Sequence, residues 1–308
     1  MEKYYEQEKE LKTKVPLQKA YEDLTLKDDF IFGKVMQDKE LCRNMLSLLT
    51  GNEIDNIVSI SNQMPVKITG DSKGVRYDVY VEDEENKVYD AEMQRYNDSD
   101  SKKELPKRSR YYQGMIDLNL LESGGSYKKL KSSYVIFICT FDPFDRDLCC
   151  YTFKNICIED ADVSLEDGRT ILFFNTKGKN INVSDEVKEF LDYVETKRTT
   201  NNYTRQLDES VDKARMNKEW RVEYMKTLLH DMDVRQEGIE IGIDMGIDMG
   251  DSKRLISQIV KKIRRGKTVD VIALELEEDE EYISKIYDAT IACAPDYDVD
   301  TIYRKWKA

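Results

Sequence analysis

Arg76-Tyr-Asp-Val-Tyr-Val-Glu82, Asp83-Glu-Glu-Asn-Lys87 and Val88-Tyr-Asp-Ala-Glu-Met-Gln94 read as a strand, a short loop and a second strand. Successive strand residues point to opposite faces. Tyr77, Val79 and Val81 are therefore expected on one face, with Arg76, Asp78 and Tyr80 on the other. In the second strand Tyr89, Ala91 and Met93 oppose Asp90, Glu92 and Gln94 in the same way. If residues 83–87 close a hairpin, Glu82 faces Val88, Tyr77 faces Met93 and Asp78 faces Glu92. Directly opposed Cβ atoms lie about 5 Å apart, and like charges in that position destabilise the pair. A cation would compensate. Magnesium binds through one or two carboxylates and completes its shell with water and phosphate oxygens. It could there activate a water and polarise a phosphate. Solvated acids on the hairpin of an acidic protein would look the same, and spacing alone leaves both readings open.

Outward from this hairpin the pattern alternates between helix and strand. Asp28 to Leu49 carries an apolar face at helical spacing (Phe30, Ile31, Val35, Met36, Leu41, Met45, Leu46, Leu49), closed by Gly51-Asn52. Ile57–Ile60 and Val66–Ile68 are short strand-like pieces before the hairpin. After it a polar stretch, Asn97–Glu104, leads to a helix from about Leu105 to Leu121, which Ser123-Gly124-Gly125 stops. Tyr134–Thr140 is a continuous apolar run suited to a buried central strand. Cys150–Ile158 and Thr170–Phe174 are further strand candidates. From Ser184 onward everything is helical in pattern. A sheet covered by helices, α/β or α+β, follows from this order.

The chain has 308 residues, a net charge of −13, 40% apolar and 35% charged residues. The acidic balance argues against a general nucleic-acid coat, which would need Lys and Arg to neutralise phosphates, but leaves room for a local basic track. The six cysteines show no paired spacing and His230 is the sole histidine, so buried thiols in a reducing compartment are expected rather than zinc. Met1-Glu-Lys-Tyr-Tyr-Glu6 lacks the pattern of a secretory signal, and no apolar run is long enough to cross a bilayer. A cytoplasmic protein with no membrane partner is expected.

An Asp followed on the adjacent strand by Glu-x-Lys, behind a helix, is the signature of PD-(D/E)XK nucleases. The chain resembles one branch of them, the Rpn family of recombination-promoting nucleases and transposases. The stretches that carry the resemblance are Leu24-Thr-Leu-Lys-Asp-Asp-Phe-Ile-Phe32, Gly74-Val-Arg-Tyr-Asp-Val-Tyr80, Ala91-Glu-Met-Gln94, Leu105-Pro-Lys-Arg-Ser-Arg-Tyr-Tyr112 and Ser133-Tyr-Val-Ile-Phe-Ile-Cys139, continued by Phe141-Asp-Pro-Phe144. Together they span roughly residues 18–230. The resemblance implies a restriction-endonuclease-like α/β core, a mixed sheet flanked by helices, with an α-helical C-terminal extension. It implies a metal-dependent DNA endonuclease using magnesium, with manganese as a substitute, in recombination or mobile-element activity. Asp78 and Glu92 would be the metal carboxylates, with Asp28 or Asp29 on the first helix as an added acid; a helix N-terminus favours acids there in any case. Gln94 stands where the superfamily has lysine, and a neutral amide can only hydrogen-bond. That departure keeps a second reading open, a catalytically weak or inactive DNA- or partner-binding module on a nuclease fold.

Lys102, Lys103, Lys107, Arg108 and Arg110 cluster with Tyr111 and Tyr112 at the expected start of the second helix, where the dipole disfavours cations. A phosphate track or a solvated face would each account for them. Arg108 and Tyr112, four apart and so on one face, are candidates to touch DNA, together with Lys107. Further on, Gly238, Gly242, Gly246 and Gly250 recur every four residues between Ile-Glu-Ile and Ile-Asp-Met triplets. Each costs an isolated helix about 1 kcal/mol, so a helix packed on a partner chain is favoured over a strand or linker. Glu277-Glu-Asp-Glu-Glu281 lies where a helix-turn-helix would meet phosphates, so the tail reads as a homo-oligomerisation or interaction region. The expected organisation is an N-terminal arm (1–24), a nuclease-like core (25–183), a helical extension (184–235) and a glycine-repeat and helical tail (236–308).

Overall fold

The computed structural model describes residues 20–66, 74–95, 99–121 and 125–307. It divides after Tyr224 into two compact units. The first is built on a six-stranded sheet: β1 (Ile57–Val66), β2 (Val75–Asp83), β3 (Val88–Gln94), β4 (Ser133–Cys139), β5 (Cys150–Phe153) and β6 (Arg169–Asn175). Their spatial order is β1-β2-β3-β4-β6-β5. β3, β4 and β6 run parallel to their neighbours within that central trio, and the outer pairs are antiparallel. Tyr134–Cys139 is central as expected, buried on both faces. The fold is a mixed sheet flanked by helices, the restriction-endonuclease-like α/β arrangement.

Helices α1 (Asp29–Val35), α2 (Lys39–Thr50), α4 (Asp185–Thr196) and α5 (Asn202–Met216) cover one face. Their side chains pack with Val79, Val81, Ala91, Met93, Ile136 and Ile138. The opposite face carries α3 (Ser99–Leu120), whose Leu105, Tyr112, Met115 and Ile116 pack on Tyr77, Val88, Val135 and Phe137.

Several expectations are corrected. The apolar stretch 28–49 forms two helices rather than one. The chain breaks at residues 36–38, because Asp38 caps α2 by accepting from Glu40 N–H and Leu41 N–H. The strand pieces 57–60 and 66–68 merge as β1, with Lys67 and Ile68 outside the described residues. α3 begins at Ser99, not Leu105, so Lys107, Arg108 and Arg110 sit well inside the helix and the dipole gives no argument about them. Of the stop at 123–125, Ser123 and Gly124 lie outside the described residues. β5 ends at Phe153 rather than Ile158, since only Cys150–Phe153 pair with β6. Tyr21 and Leu24, expected in the arm, are 2% exposed; residues 1–19 lie outside the described residues. The segment 184–216, expected beyond the core, helps to build it: Phe190, Leu191 and Leu207 are fully buried, and Tyr203 Oη donates to Leu41 O at 2.9 Å.

The second unit comprises α6 (Lys218–Ile263) from Met225 onward, with α7 (Val269–Leu276), α8 (Glu280–Ile291) and α9 (Val299–Lys307). Ile256, Ile259, Ile272, Ile283, Ile286 and Ile302 form its core. The glycine repeat is helical and lies wholly within α6. All six cysteines are free thiols. Among the described residues no helix is long and apolar enough to cross a membrane.

Candidate active site

The hairpin register is the expected one where the ladder is formed: Glu82 pairs with Val88, Val81 with Tyr89, Tyr80 with Asp90 and Val79 with Ala91. The ladder then stops. Asp78 N–H donates to Glu92 Oε1 at 2.9 Å, and Met93 N–H donates to Asp78 Oδ2 at 3.1 Å. Two carboxylates thus occupy places that backbone carbonyls hold elsewhere in the sheet. The strict alternation expected for β2 fails at this point. Tyr77 packs with Tyr80 and Tyr112 on the α3 side (ring centroids 5.5 Å apart in each case), whereas Val79 and Val81 face the other way. On its other side β2 stays paired with β1 through Val75.

Asp78 and Glu92 line a cleft of about 680 Å³ together with Asp29, Arg76, Gln94, Lys107, Arg108 and Tyr112. Both acids are almost fully buried. Burial, and secondarily the negative charge of Asp29, pushes the Asp78 carboxyl up to about 7. Burial, then Asp78 itself, pushes Glu92 up to about 8. Taking a carboxylate out of water disfavours its charged form, and a second acid beside it adds to the cost. Asp90, two residues along from Glu92, is completely buried and neither of its oxygens has a hydrogen-bond partner. Its carboxyl is held well above the ordinary range by burial and by Glu92 and Asp78. Asp90 lies beneath the cleft wall and is not among the residues that line it.

The two acids at the start of α1 differ in placement. Asp29 lines the cleft. Asp28 turns away from it, accepting from Thr25 N–H at 2.7 Å and ion-pairing with Arg95. It stands at the N-cap position of α1 without a side-chain capping hydrogen bond to that helix.

Arg108 reaches into the cleft from α3. Its Nη1 donates to Gln94 Oε1 at 2.9 Å, and Nη2 donates to Tyr112 Oη at 3.1 Å and lies 3.5 Å from Glu92 Oε2. The guanidinium sits 5.4 Å and 5.8 Å from the ring centres of Tyr112 and Phe137. Lys107 borders the same cleft and is exposed; Lys102 is turned to Asp145, 2.5 Å away.

Among the described residues no group of three or more His, Cys, Asp or Glu side chains forms a metal cage. Magnesium does not ask for one, because it takes one or two carboxylates and leaves the rest of its shell to water and phosphate. Two buried, mutually repelling carboxylates at the wall of an open cleft fit such an ion. Oxygen-only donors suit magnesium or manganese and not a thiophilic metal.

The model of the family described as PD-(D/E)XK nuclease family transposase matches residues 22–227. The chain belongs to that family. No curated protein and no solved structure matches it. For a PD-(D/E)XK transposase-family chain, the matched span takes in the whole sheet, α1 to α5 and the cleft, and stops within α6. PD-(D/E)XK nucleases typically use divalent metal ions.

Proposed function

We propose that the cleft hydrolyses DNA phosphodiester bonds as a magnesium-dependent endonuclease, with manganese as a substitute, in recombination or mobile-element activity. The observation that carries this reading is the pair Asp78 and Glu92, buried side by side against a basic cleft wall. Asp78 and Glu92 would hold the cation, with Asp29 close enough to bias it, and Gln94 would orient Arg108. Bound there, a divalent ion supplies Lewis-acid polarisation of the phosphoryl group and lowers the pKa of a water. Lys107 and Arg108 attract the phosphate backbone, a contact that carries no base information. Tyr112 holds the guanidinium in place through its hydroxyl and ring.

The test is cleavage of supercoiled plasmid with magnesium, with and without chelator, repeated on Asp78→Ala and Glu92→Ala. Nicked or linear product that requires magnesium and vanishes in both variants is expected. Undiminished cleavage by both variants removes the site assignment. DNA binding by the wild type with no cleavage under any metal would favour the non-catalytic binding module, for which the neutral Gln94 is the supporting observation.

We also infer that the chain self-associates through α6. Ile241, Met245 and Met249 are exposed there, and a Cβ added at Gly238, Gly242, Gly246 or Gly250 would meet nothing within 4 Å. At 100° per residue the acids Glu240, Asp244 and Asp248 fall about 200° around the axis from the glycines. This leaves a small-residue face flanked by Ile and Met for a second copy.

A further inference from the structure

β3 carries no cation in the cleft: Asp90 and Glu92 are acids and Gln94 is neutral. Phosphodiester hydrolysis nonetheless gathers negative charge on the phosphoryl oxygens as water attacks. Preorganised donors aimed at that charge are among the largest contributions to catalysis.

We propose that the Arg108 guanidinium, delivered from helix α3 and held by Gln94, is the positive charge that faces the scissile phosphate in place of a strand lysine. This rests on the nuclease reading of the cleft. Three observations converge on Arg108 rather than on its basic neighbours. First, it is the partly buried cation of α3, its side chain 33% exposed, on a helix whose Leu105, Tyr112, Met115 and Ile116 are all at 8% exposure or less. A charge there is costly unless it is paired and used. Second, its contacts are those of a held group. Gln94 Oε1 and Tyr112 Oη each take one of its N–H groups, Glu92 lies 3.5 Å away, and the rings of Tyr112 and Phe137 lie within cation–π reach. Guanidinium has only donors, so the Gln94 amide must present its oxygen, which a lysine at that position could not do. Third, of the other cations that line the cleft (Lys27, Arg76, Arg95, Lys107 and Arg110), two are paired with acids that do not line it. Lys27 pairs with Glu195 at 3.1 Å, and Arg95 pairs with Asp28.

In the reaction a water oxygen forms a new bond to phosphorus and one P–O ester bond breaks. The proton lost by the water is balanced by the proton gained by the departing alkoxide. Arg108 exchanges no proton. Its five N–H groups exceed the acceptors it meets in the cleft, leaving donors for a phosphoryl oxygen. Gln94 is a positioning residue: it acts only through the guanidinium.

Four full-length proteins decide the matter: wild type, Arg108→Gln, Gln94→Lys, and the double variant Gln94→Lys with Arg108→Gln. Three readouts are taken: single-turnover plasmid cleavage in magnesium, DNA affinity in calcium, and titration of inorganic phosphate in magnesium by calorimetry. Arg108→Gln is expected to lose about 100-fold or more in cleavage rate, as for removal of one charge-stabilising donor, with DNA affinity changed about threefold at most. The double variant should recover to within about tenfold of wild type, because a lysine on β3 can reach the same phosphate. Arg108→Gln that cleaves at the wild-type rate, or a double variant as slow as Arg108→Gln, overturns the proposal. If wild type cleaves nothing, the nuclease reading fails and the phosphate titration decides this one. Phosphate affinity about tenfold weaker in Arg108→Gln and regained in the double variant upholds the cation site; unchanged affinity overturns it. Should Arg108→Gln fail to fold, Arg108→Lys takes its place. It keeps the charge but loses the fork that Gln94 and Tyr112 hold, so cleavage between wild type and inactive is expected, and full activity overturns the positioning role of Gln94.

Discussion

The backbone N–H of Asp78 donates to the Glu92 side chain at 2.9 Å, across the point where the β2–β3 ladder ends. The bond does two things. It fixes the Glu92 carboxylate beside Asp78, whose own carboxylate is tied to Met93 N–H, and it spends a strand donor on a side chain. The hairpin gives up ladder bonds to hold two like charges together, an arrangement whose energy improves when a cation arrives.

That arrangement, together with the buried Asp90 whose carboxyl is also held well above its ordinary range, contributes to the pH dependence of stability. Asp78 and Glu92 rise from 3.8 and 4.5 to about 7 and about 8 on folding. Between roughly pH 4 and pH 8 the folded chain therefore retains protons that the unfolded chain has released, and stability falls as pH rises. The stabilising contribution is complete below the unfolded values and gone above the folded ones. Metal-free protein is expected to melt lower at pH 8 than at pH 5. Asp78→Asn with Glu92→Gln should make that slope shallower, because neither amide titrates and the buried Asp90 remains. Magnesium should stabilise more at pH 8 than at pH 6, since binding needs the ionised acids. Thermal melts with chelator across this range check all three, and a wild-type melting temperature that climbs towards pH 8 without metal would contradict the account.

The basic wall of the cleft predicts a particular salt response. Lys107→Ala combined with Arg110→Ala should weaken DNA binding to a similar extent on unrelated sequences. The slope of log affinity against log salt should fall by about 1 to 2, as fewer counterions are released. Fluorescence anisotropy on two unrelated duplexes at several salt concentrations measures both quantities. An altered sequence preference with the slope unchanged would mean that these side chains read bases.

For α6 two opposed effects separate a lone helix from a docked one. Gly242→Ala and Gly246→Ala meet no neighbour in the single chain, so each should stabilise the helix by about 1 kcal/mol. On a face that packs against a second copy, the added methyl groups would hold the backbones apart. The expected result is a more helical chain at low concentration and a self-association constant weakened about tenfold. Sedimentation velocity over a concentration series reads this directly. A wild type that stays monomeric throughout removes the self-association proposal.

Much of the fold was legible because it depends on local periodicity. The apolar run Tyr134–Cys139, the alternating Val79, Val81, Ala91 and Met93, and the glycine-spaced helix each declare their element through side-chain spacing. The pairing of Glu82 with Val88 followed from loop length alone. Local pattern also brought Asp78 and Glu92 together, since a hairpin is a short-range structure. Tertiary structure decided what no single segment contains. That Arg108 rather than Lys107 meets Gln94 depends on the rotation of α3 over the sheet, which is set by the burial of Leu105, Tyr112 and Ile116. That Asp29 rather than Asp28 borders the cleft depends on Thr25 and Arg95 claiming the other acid. The side-chain bonds of Asp78 and Glu92 that replace the β2–β3 ladder next to Tyr77 likewise join two strands and are written in neither alone. A periodic pattern records which face of an element is apolar, but not which partner will compete for its polar groups; that competition exists only once distant segments are packed together.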